Sequence, residues 1–486
     1  MNWALPFKYS IFAMGFALIG CSDGIPSVSV SENYPGGDTT QSFTPHASHE
    51  LPAANLATSQ KPDFHAGKAM ANQPWVTAPT ITTARDGLGP IYNARTCLMC
   101  HIKGGKGFIP DNSERALSGT LVRLSLPETN EIKASKTDGV IPHPVYGDQI
   151  QSQSISLAHQ LRSSQPHLKH TVKPEAYVHV SWKQHTFEYP DGQKVNLRKP
   201  ELDFRYLGYG PIEKDTLIGL RVAPAIHGMG LLERIKQTDI DEIADEHDQN
   251  QDGISGRVNV VWDIEKQKLQ PGRFGLKANK PTLAMTVAGA FTNDVGITNP
   301  LFPNQPCTKL QKACNESITG NDKNGVELSQ ASLNLVVNFN RNIAPLKRRN
   351  PEHPTTLRGR DRFYQVGCHQ CHQPSFKTEK SSRFPHLSEQ LIWPYSDLLL
   401  HDMGPELADN RPDFEASGNE WRTAPLWGIG LSQKVNGSTA LLHDGRANTI
   451  EEAILWHGGE ALQVKQNFIN LEHDDRSALI RFVNSL

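Results

Sequence analysis

The chain has 486 residues, which is too long for one ordinary hydrophobic core and predicts two or three domains. Its 49 lysines and arginines nearly balance its 51 aspartates and glutamates, so the formal net charge is −2. This balance argues against a nucleic-acid-binding protein, which normally carries a basic excess or patch.

The first 20 residues have the features of an export signal. Lys8 precedes a short apolar run over 11–19, which is too short to span a bilayer and fits the central region of a signal peptide. The tetrapeptide LIGC at 18–21 resembles a bacterial lipobox, in which the chain is cleaved before a cysteine, here Cys21, that is then acylated. An ordinary secretory signal that ends at a chance cysteine is the alternative. With Ser22 next, we predict a periplasm-facing protein that a lipid anchor alone holds at the outer membrane.

Residues 21–62 are rich in Ser, Thr, Pro, Ala and Asn and show no sustained apolar period. This composition is typical of a flexible tether, here between a lipid and a folded body. No later stretch has the length of a transmembrane helix.

Four of the seven cysteines lie in two copies of the motif Cys-x-x-Cys-His. The copies consist of Cys97, Cys100 and His101, and of Cys368, Cys371 and His372. Two thiols one helical turn apart can form thioethers with the vinyl groups of a haem, and the histidine then binds the iron. Chance would place roughly 0.004 such motifs in a chain of this composition. A thioredoxin-like pair or a zinc knuckle does not require the histidine, so we predict two covalently bound haems c.

Cys307 and Cys314 are left without a haem. In an oxidising compartment a disulfide that closes this short loop is the simplest prediction, with free thiols as the alternative.

The pattern along the chain changes twice. From about 141 to 215 it becomes β-like, with two extended runs that flank a turn at Pro190, Asp191 and Gly192. Helical patterns return at LIGLRVAPAIHGMGLLERI and LSQASLNLVVNFNRNIAP. From 355 onward, helical segments lie before and after the second haem motif, an order typical of a small cytochrome c domain. We therefore predict a mainly α protein with two cytochrome c-like haem domains. The N-terminal haem domain would span 63–350 with a β-rich insertion at about 141–215, and the C-terminal domain would span 351–486.

The stretch DQNQDGISGRVN at 248–259 follows part of a calcium-loop pattern. Asp248, Asn250, Asp252 and Gly253 occupy positions 1, 3, 5 and 6 of such a loop. Position 12 is Asn259 rather than glutamate, so the bidentate ligand is missing. The stretch therefore predicts either a calcium site without a full EF-hand or a polar surface turn.

Several stretches together resemble the bacterial di-haem oxidoreductase family, which is similar to the di-haem cytochrome c peroxidases. The matching stretches, which run in the family's order from about 80 to the end of the chain, are DGLGPIYNARTCLMCH, PVYGDQIQ, RVAPAIHGMGLLE, DQNQDGISGRVN, GRFGLKA, GCHQCHQP, PYSDLLLHDMGPELAD, EWRTAPLWGIGL and LLHDGRANTIEEAILWHGGEA. The resemblance implies two haems and an oxidoreductase activity, and it says less about the substrate.

Two residues are candidates for the sixth ligand of the C-terminal haem iron. Met403 lies downstream of His372 at a spacing plausible for a cytochrome c methionine. The resemblance to the peroxidases gives His457 the position of the distal ligand of their electron-transfer haem. His457 could instead cap a helix end, and Met403 could pack in a core. We predict His457.

For the N-terminal haem the sequence shows no evident sixth ligand. Five histidines lie downstream, but scattered histidines on a polar segment are mostly solvated: His143, His167, His170, His179 and His185. His227 and Met229 are further candidates. By analogy with the peroxidases this iron would be open to substrate, and peroxide cleavage needs a general acid–base residue above it. Glu233 is the first candidate for that role and His227 the second, although Glu233 could equally form a salt bridge on a helix surface.

Four tryptophans lie in the C-terminal third of the chain, at Trp393, Trp421, Trp427 and Trp456. One of them could relay electrons between the haems, but packing in a core is the commoner role of tryptophan.

Three functions fit these features. The first is a peroxidase-like oxidoreductase, in which the C-terminal haem passes electrons to a catalytic N-terminal haem. The second is a non-catalytic electron-transfer lipoprotein, and the third is an accessory haem protein in metal acquisition. The expected partners are a small cytochrome or cupredoxin and a small-molecule oxidant.

Overall fold

The computed structural model describes residues 25–42, 48–82, 85–109, 119–155 and 171–486. The predicted signal peptide, the predicted lipidation site Cys21, and the candidates His167 and His170 lie outside the described residues. Within these ranges, no helix combines the length and the apolar character needed to span a bilayer.

The α-helices of the described ranges are short, and none exceeds four turns. In chain order they are α1 (Lys61–Asn72), α2 (Cys97–Cys100), α3 (Met229–Glu233), α4 (Gln237–Asp241), α5 (Leu283–Val295), α6 (Lys312–Asn315), α7 (Gln330–Arg341), α8 (Pro354–Val366), α9 (Ser432–Asn436), α10 (Ile450–Trp456), α11 (Leu462–Ile469) and α12 (His473–Ser485). Local sequence explains the ends of the longer ones. The Thr282 side chain caps the start of α5, and Gly296, with φ of +70°, ends it.

The strands in the described ranges form six two-stranded antiparallel sheets. The pairs are β1 (Ile91–Tyr92) with β3 (Gln153–Ser154), β2 (Thr120–Ser125) with β6 (Leu217–Val222), β4 (Tyr177–Glu188) with β5 (Lys194–Arg205), β7 (Val260–Asp263) with β8 (Lys268–Pro271), β9 (Phe376–Lys377) with β10 (Leu391–Ile392), and β11 (Leu400–Asp402) with β12 (Glu420–Arg422).

The prediction of a mainly α protein is wrong. Helical residues make up 29% and strand residues 19%, so the chain mixes both types. Part of the strand content comes from β2 and β6, which pair although they lie almost 100 residues apart in the sequence. Such long-range pairing is decided by tertiary packing and leaves little local signal.

The longest sheet is the hairpin of β4 and β5, which lies in the region predicted to be β-rich. Its register runs from Tyr177 opposite Arg205 to Glu188 opposite Lys194. The chain reverses over 189–193, where Gly192 has φ of +83° and the backbone nitrogen of Tyr189 donates to Gln193 O (2.8 Å).

Two large hydrophobic cores hold the helices together, and both cross residue 350. The first core contains α1, α5 and α7, and it also takes in Leu399 and Trp427. The second contains α8, α10 and α12, and Tyr189 and Leu197 of the hairpin belong to it. The division into domains at residue 350 remains a prediction, and both hydrophobic cores contain residues from both sides of that boundary.

The described parts of 25–62 differ from the predicted flexible tether. The Glu32 side chain is fully buried, and it forms ion pairs with Arg348 (2.6 Å) and Arg360 (3.0 Å). Downstream, Leu56 belongs to the first core. Composition alone suggested a tether because the polar residues of this segment find their partners far away in the sequence.

Candidate haem-binding cavity

One cavity of about 520 Å³ borders both Cys-x-x-Cys-His motifs. This volume lies within the usual range for ligand and cofactor sites, about 300–1,000 Å³. Its walls are mostly apolar and come from α5, α10, the segment 223–229 and the segment 421–429. The two motifs therefore face one continuous space.

The first motif forms the short helix α2. Thr96 precedes it, and its hydroxyl accepts a hydrogen bond from the backbone nitrogen of Met99 (3.1 Å), which caps the helix. The backbone nitrogen of His101 donates to Cys97 O (3.0 Å). Cys97, Cys100 and His101 all border the cavity, so both thiols and the imidazole reach the same space.

The second motif follows α8. Gly367 ends that helix with φ of +100°, a conformation that favours glycine, and a single 3-10 turn begins at Cys368. The backbone nitrogen of His372 donates to Cys368 O (3.0 Å), as in the first motif. Cys368, Cys371 and His372 likewise border the cavity.

The four motif cysteines form no disulfide in the structure. Burial raises the pKa of Cys97 and of Cys368 to about 12 each, and that of Cys100 to about 11. A thiol that stays protonated is a poor nucleophile in disulfide exchange. These environments therefore argue against a thioredoxin-like role for the two motifs.

Both motif histidines are oriented to bind a metal through Nε2. Nδ1 of His101 lies 2.7 Å from Pro224 O, and Nδ1 of His372 lies 2.9 Å from Tyr395 O. Since a carbonyl oxygen only accepts, Nδ1 carries the proton in each ring and Nε2 keeps its lone pair. Burial lowers the pKa of both histidines, which favours the neutral form that binds iron.

His457 is also oriented to bind a metal through Nε2. Its Nδ1 lies 2.7 Å from Ala453 O, the ring borders the cavity, and burial lowers its pKa to about 4. His372 lies close enough to lower that pKa further. Met403 also borders the cavity, so the structure brings both predicted candidates to the C-terminal motif.

The cations of the cavity wall provide a test of whether haem fits. Lys106, Lys280 and Arg422 border the cavity, and none of them has a carboxylate within ion-pair distance among the described residues. Burial lowers the pKa of Lys106 to about 8 and that of Arg422 to about 10. A buried cation without a counter-ion is costly, and haem propionates are anions of the kind that would pair with these three. The cavity wall therefore fits haem.

His401 is a buried cation beside the second motif, and sequence reasoning missed it. Burial alone would lower its pKa, but Asp397 and Glu460 raise it well above the ordinary value. Its Nε2 lies 2.8 Å from Asp397 and its Nδ1 2.7 Å from Glu460. Cys371, Asp397 and His401 lie close enough to hold a metal ion, but both nitrogens of this imidazole are already engaged as donors.

Glu233 does not border the cavity, which is contrary to its predicted role as acid–base residue. Its carboxylate accepts from the backbone nitrogen of Leu283 (2.9 Å) at the start of α5 and pairs with Arg341 (3.0 Å). Glu233 is thus a structural residue that holds α5 against α7. Among the described residues, the carboxylate that does border the cavity is Asp294.

His227, the second acid–base candidate, does border the cavity. Its Nε2 lies 3.0 Å from Trp427 O, and its ring stacks on His49 with centroids 4.1 Å apart. Burial lowers the pKa of His227 to about 4 and that of His49 well below the ordinary value. No sequence signal pointed to His49, because it lies in the segment that composition identified as a tether.

Of the other candidates near the N-terminal motif, Met229 borders the cavity. His143 does not, since Nε2 pairs with Glu213 (2.5 Å) and Nδ1 accepts from two backbone nitrogens. His179 and His185 lie on β4 and are not part of the cavity wall.

The four tryptophans have different positions. Trp421 and Trp427 border the cavity, while Trp393 and Trp456 pack in the second core. Trp427 approaches His227 with ring centroids 6.4 Å apart. Trp421 stacks on His443 at 3.8 Å and has Lys277 over its ring at 4.2 Å.

Side chains of the loop at 248–259 accept hydrogen bonds from the backbone of the same loop. Asp248 accepts from the backbone nitrogen of Gly253 (3.2 Å), and Asn250 accepts from that of Asp252 (2.9 Å). Asn259, at position 12, is buried and donates to Lys277 O and Asp413 O. It therefore faces the protein interior, and calcium at this loop remains a prediction.

Cys307 and Cys314 form a disulfide with an S–S distance of 2.01 Å. It lies in a small core with Ile91 and Val172, away from the cavity wall.

Comparison with known proteins gives one family match. The family model described as "Di-haem oxidoreductase, putative peroxidase" matches residues 29–486. No curated protein and no solved structure matches the chain. The family match covers nearly the whole sequence and includes both motifs that face the cavity, so the chain belongs to the di-haem oxidoreductase family.

Proposed function

We propose that this di-haem oxidoreductase is an exported, lipid-anchored c-type cytochrome with peroxidase-like activity. Both motifs would hold their haems covalently, with His101 and His372 as proximal ligands. When bound, the haems would supply the redox chemistry, with electrons entering at the C-terminal haem and reaching a small oxidant such as hydrogen peroxide at the N-terminal one. A small cytochrome or cupredoxin would be the electron donor.

The observation that carries this proposal is the shared cavity. Two motifs that are about 270 residues apart in sequence open into one space, and each presents a neutral imidazole with a free Nε2. Proximity of two redox groups is what electron transfer between them requires. Separate pockets would have favoured two independent carriers.

The two ends of the cavity differ in their supply of iron ligands. At the C-terminal motif, His457 offers a second neutral imidazole, and a second strong ligand is typical of an electron-transfer haem. Near the N-terminal motif, the cavity face of α5 presents Thr286, Gly289, Ala290 and Asn293. These α5 side chains are small or weakly coordinating. Of the sixth-ligand candidates on the segment 223–229, His227 has its Nε2 engaged by Trp427 O, and a haem that remains open to substrate requires that neither His227 nor Met229 binds its iron.

Asp294 is the residue best placed to hold a proton at the N-terminal end. Burial raises its pKa, and its Oδ1 accepts from Gln149 Nε2 (2.9 Å). Its backbone oxygen accepts from Asn93 and Ala94, close before the first motif (both 2.9 Å). Asp294 therefore takes the general acid–base role that the sequence assigned to Glu233.

Low-temperature EPR of the haem-loaded full-length protein tests the assignment of ligands. We expect one low-spin and one high-spin ferric haem, either when fully oxidised or after half-reduction. The His457→Ala variant should convert the low-spin signal to high spin, because the iron loses its sixth ligand. Met403→Ala should leave that signal unchanged.

His247→Ala, which removes an exposed histidine, is the control and should match the wild type. Loss of the low-spin signal in Met403→Ala but not in His457→Ala would assign the methionine instead. Two low-spin haems in both oxidation states, without peroxide turnover, would make this protein an electron carrier.

A further inference from the structure

Residues 25–42, here called the N-terminal strap, lie along the C-terminal haem-binding part of the chain. Backbone hydrogen bonds hold the strap in its middle and at its C-terminal end. Arg348 N donates to Asn33 O (3.1 Å), Gln41 N donates to Pro345 O (3.0 Å), and Trp393 N donates to Pro35 O (2.8 Å). The strap is therefore part of the folded body.

Glu32 is the residue that anchors the strap in the interior. Its side chain is completely buried, and its carboxylate accepts hydrogen bonds from Arg348, Arg360 and the hydroxyl of Tyr395. A buried carboxylate is tolerated only when such partners compensate the lost hydration. Two arginines and one glutamate give these three side chains a net charge of +1, which becomes +2 if the glutamate is neutralised.

Tyr395 connects this cluster to the second haem motif. It is fully buried, and its ring packs against Phe363 (5.7 Å) and Phe482 (5.8 Å). Its backbone has φ of +53°, which is unusual for a tyrosine and persists only when the surroundings hold it. Its carbonyl oxygen, in that conformation, is the acceptor for Nδ1 of His372 (2.9 Å).

We propose that Glu32 is a positioning residue for His372, acting through the side chain and backbone of Tyr395. This inference rests on the proposed role of His372 as proximal haem ligand. The strap segment, which the sequence alone presents as a linker, thereby becomes part of the surroundings of the C-terminal haem.

The physical consequence has a definite sign. A strong hydrogen bond from Nδ1 makes the imidazole a better electron donor, which favours ferric iron and lowers the reduction potential. Loss of the Glu32 charge would loosen Tyr395 and leave Arg348 and Arg360 uncompensated. Both effects favour the reduced, less positive haem, so the reduction potential of the C-terminal haem should rise.

Potentiometric titration with EPR detection of the haem-loaded full-length protein tests this. We expect Glu32→Gln to raise the reduction potential of the C-terminal haem by about 59 mV, which corresponds to a tenfold change in the equilibrium constant of a one-electron reduction. Tyr395→Phe keeps the ring and removes only the hydroxyl, so it should move the potential in the same direction by less. Both variants should also shift the EPR g values of that haem.

The N-terminal haem is the internal control, and Asp38→Asn, an exposed carboxylate on the same strap, is the matched control. Neither should show a shift. Unchanged potentials and g values in both variants, or equal shifts of both haems, would overturn the proposal. If Glu32→Gln does not fold, Tyr395→Phe alone still tests the proposal.

The proposed function is judged separately, from the wild-type spectrum. If the wild type has a low-spin C-terminal haem and the variants show no shift in potential, only the proposed role of the strap is contradicted. A wild type whose C-terminal haem is high-spin contradicts ligation by His457, and that high-spin signal should still shift in Glu32→Gln.

Discussion

Asp294 and Glu233 show how single residues gain or lose a role through their contacts. Both are acidic and both lie near the segments that line the cavity. Glu233 is satisfied by Arg341 and by the start of α5, whereas Asp294 reaches the cavity and its pKa is raised by burial. A raised pKa extends the pH range in which a carboxylic acid keeps its proton and can donate it during catalysis.

Replacing Asp294 with asparagine should therefore lower peroxide turnover about 100-fold, within the range for loss of a general acid–base residue. In the wild type, turnover should fall as pH rises through the raised pKa, because the acid form is lost. The variant should lack this dependence. Steady-state kinetics against pH measure both effects.

Asp215→Asn, at an exposed position, is the control for general loss of a carboxylate. Equal EPR spectra in Asp294→Asn and the wild type would show that the haem sites are intact. Undiminished turnover in Asp294→Asn would remove this residue from the mechanism.

At the scale of elements, the β4–β5 hairpin braces the helix that leads to His457. The hydroxyl of Tyr189 donates to Glu451 on α10 (2.9 Å). Arg476 on α12 donates to Asp191 and to Gln193 (3.0 Å) at the hairpin end, and its guanidinium lies over the Tyr189 ring at 4.0 Å. The predicted insertion is thus packed against the C-terminal haem-binding part.

Arg476→Met should loosen the hairpin, because it removes hydrogen bonds to charged and polar groups while keeping most of the side-chain volume. We expect a loss of about 2 kcal/mol in the free energy of unfolding, the usual magnitude for hydrogen bonds to a charged group. Urea unfolding measures this loss. Hydrogen exchange should show faster exchange in both strands and in α10.

Glu188→Gln breaks only the exposed pair with Lys194 on the same hairpin. It should change stability by less than about 0.5 kcal/mol, as exposed ion pairs generally do. A similar exchange rate in α10 for both variants would show that the hairpin does not support this helix.

At the scale of the whole molecule, a buried charge cluster ties distant parts of the chain together. Asp413 accepts from Arg221 (3.1 Å), Arg411 (3.3 Å) and Asn279 (3.0 Å), which come from segments almost 200 residues apart. Burial alone would raise the pKa of Asp413, but Arg411 and Arg221 lower it below the ordinary value. The stabilisation is therefore fully present above the ordinary pKa and is lost progressively as pH falls from there through the lowered pKa.

Asp413→Asn should lower the free energy of unfolding by about 3–5 kcal/mol at pH 7, because it leaves buried cations unpaired. Since the cluster joins both sides of residue 350, we expect one cooperative unfolding transition that moves to lower temperature as a whole. Calorimetry at pH 7 and near pH 3 should show a smaller difference between variant and wild type at the lower pH.

Asp322→Asn, on an exposed turn, should leave the transition in place. Two separate transitions, of which only one moves, would show that the two haem-binding parts unfold independently.

The sequence by itself determined the haem motifs, the family resemblance and the position of the long hairpin. Each of these depends on local patterns: the Cys-x-x-Cys-His spacing predicts haem attachment and ligation within five residues, and extended runs on both sides of a turn predict a hairpin. The candidates His457 and Met403 also came from the sequence, through a short segment whose order is typical of the family.

Tertiary structure alone decided which polar residues face the cavity and which are structural. Glu32, His49 and Asp294 have no local pattern, because their partners lie far away in the chain and only folding brings them together. The pairing of β2 with β6 was missed for the same reason, since these strands pair across almost 100 residues. Local patterns specify which functional groups lie close together in the sequence, whereas burial and long-range pairing decide the role of each residue.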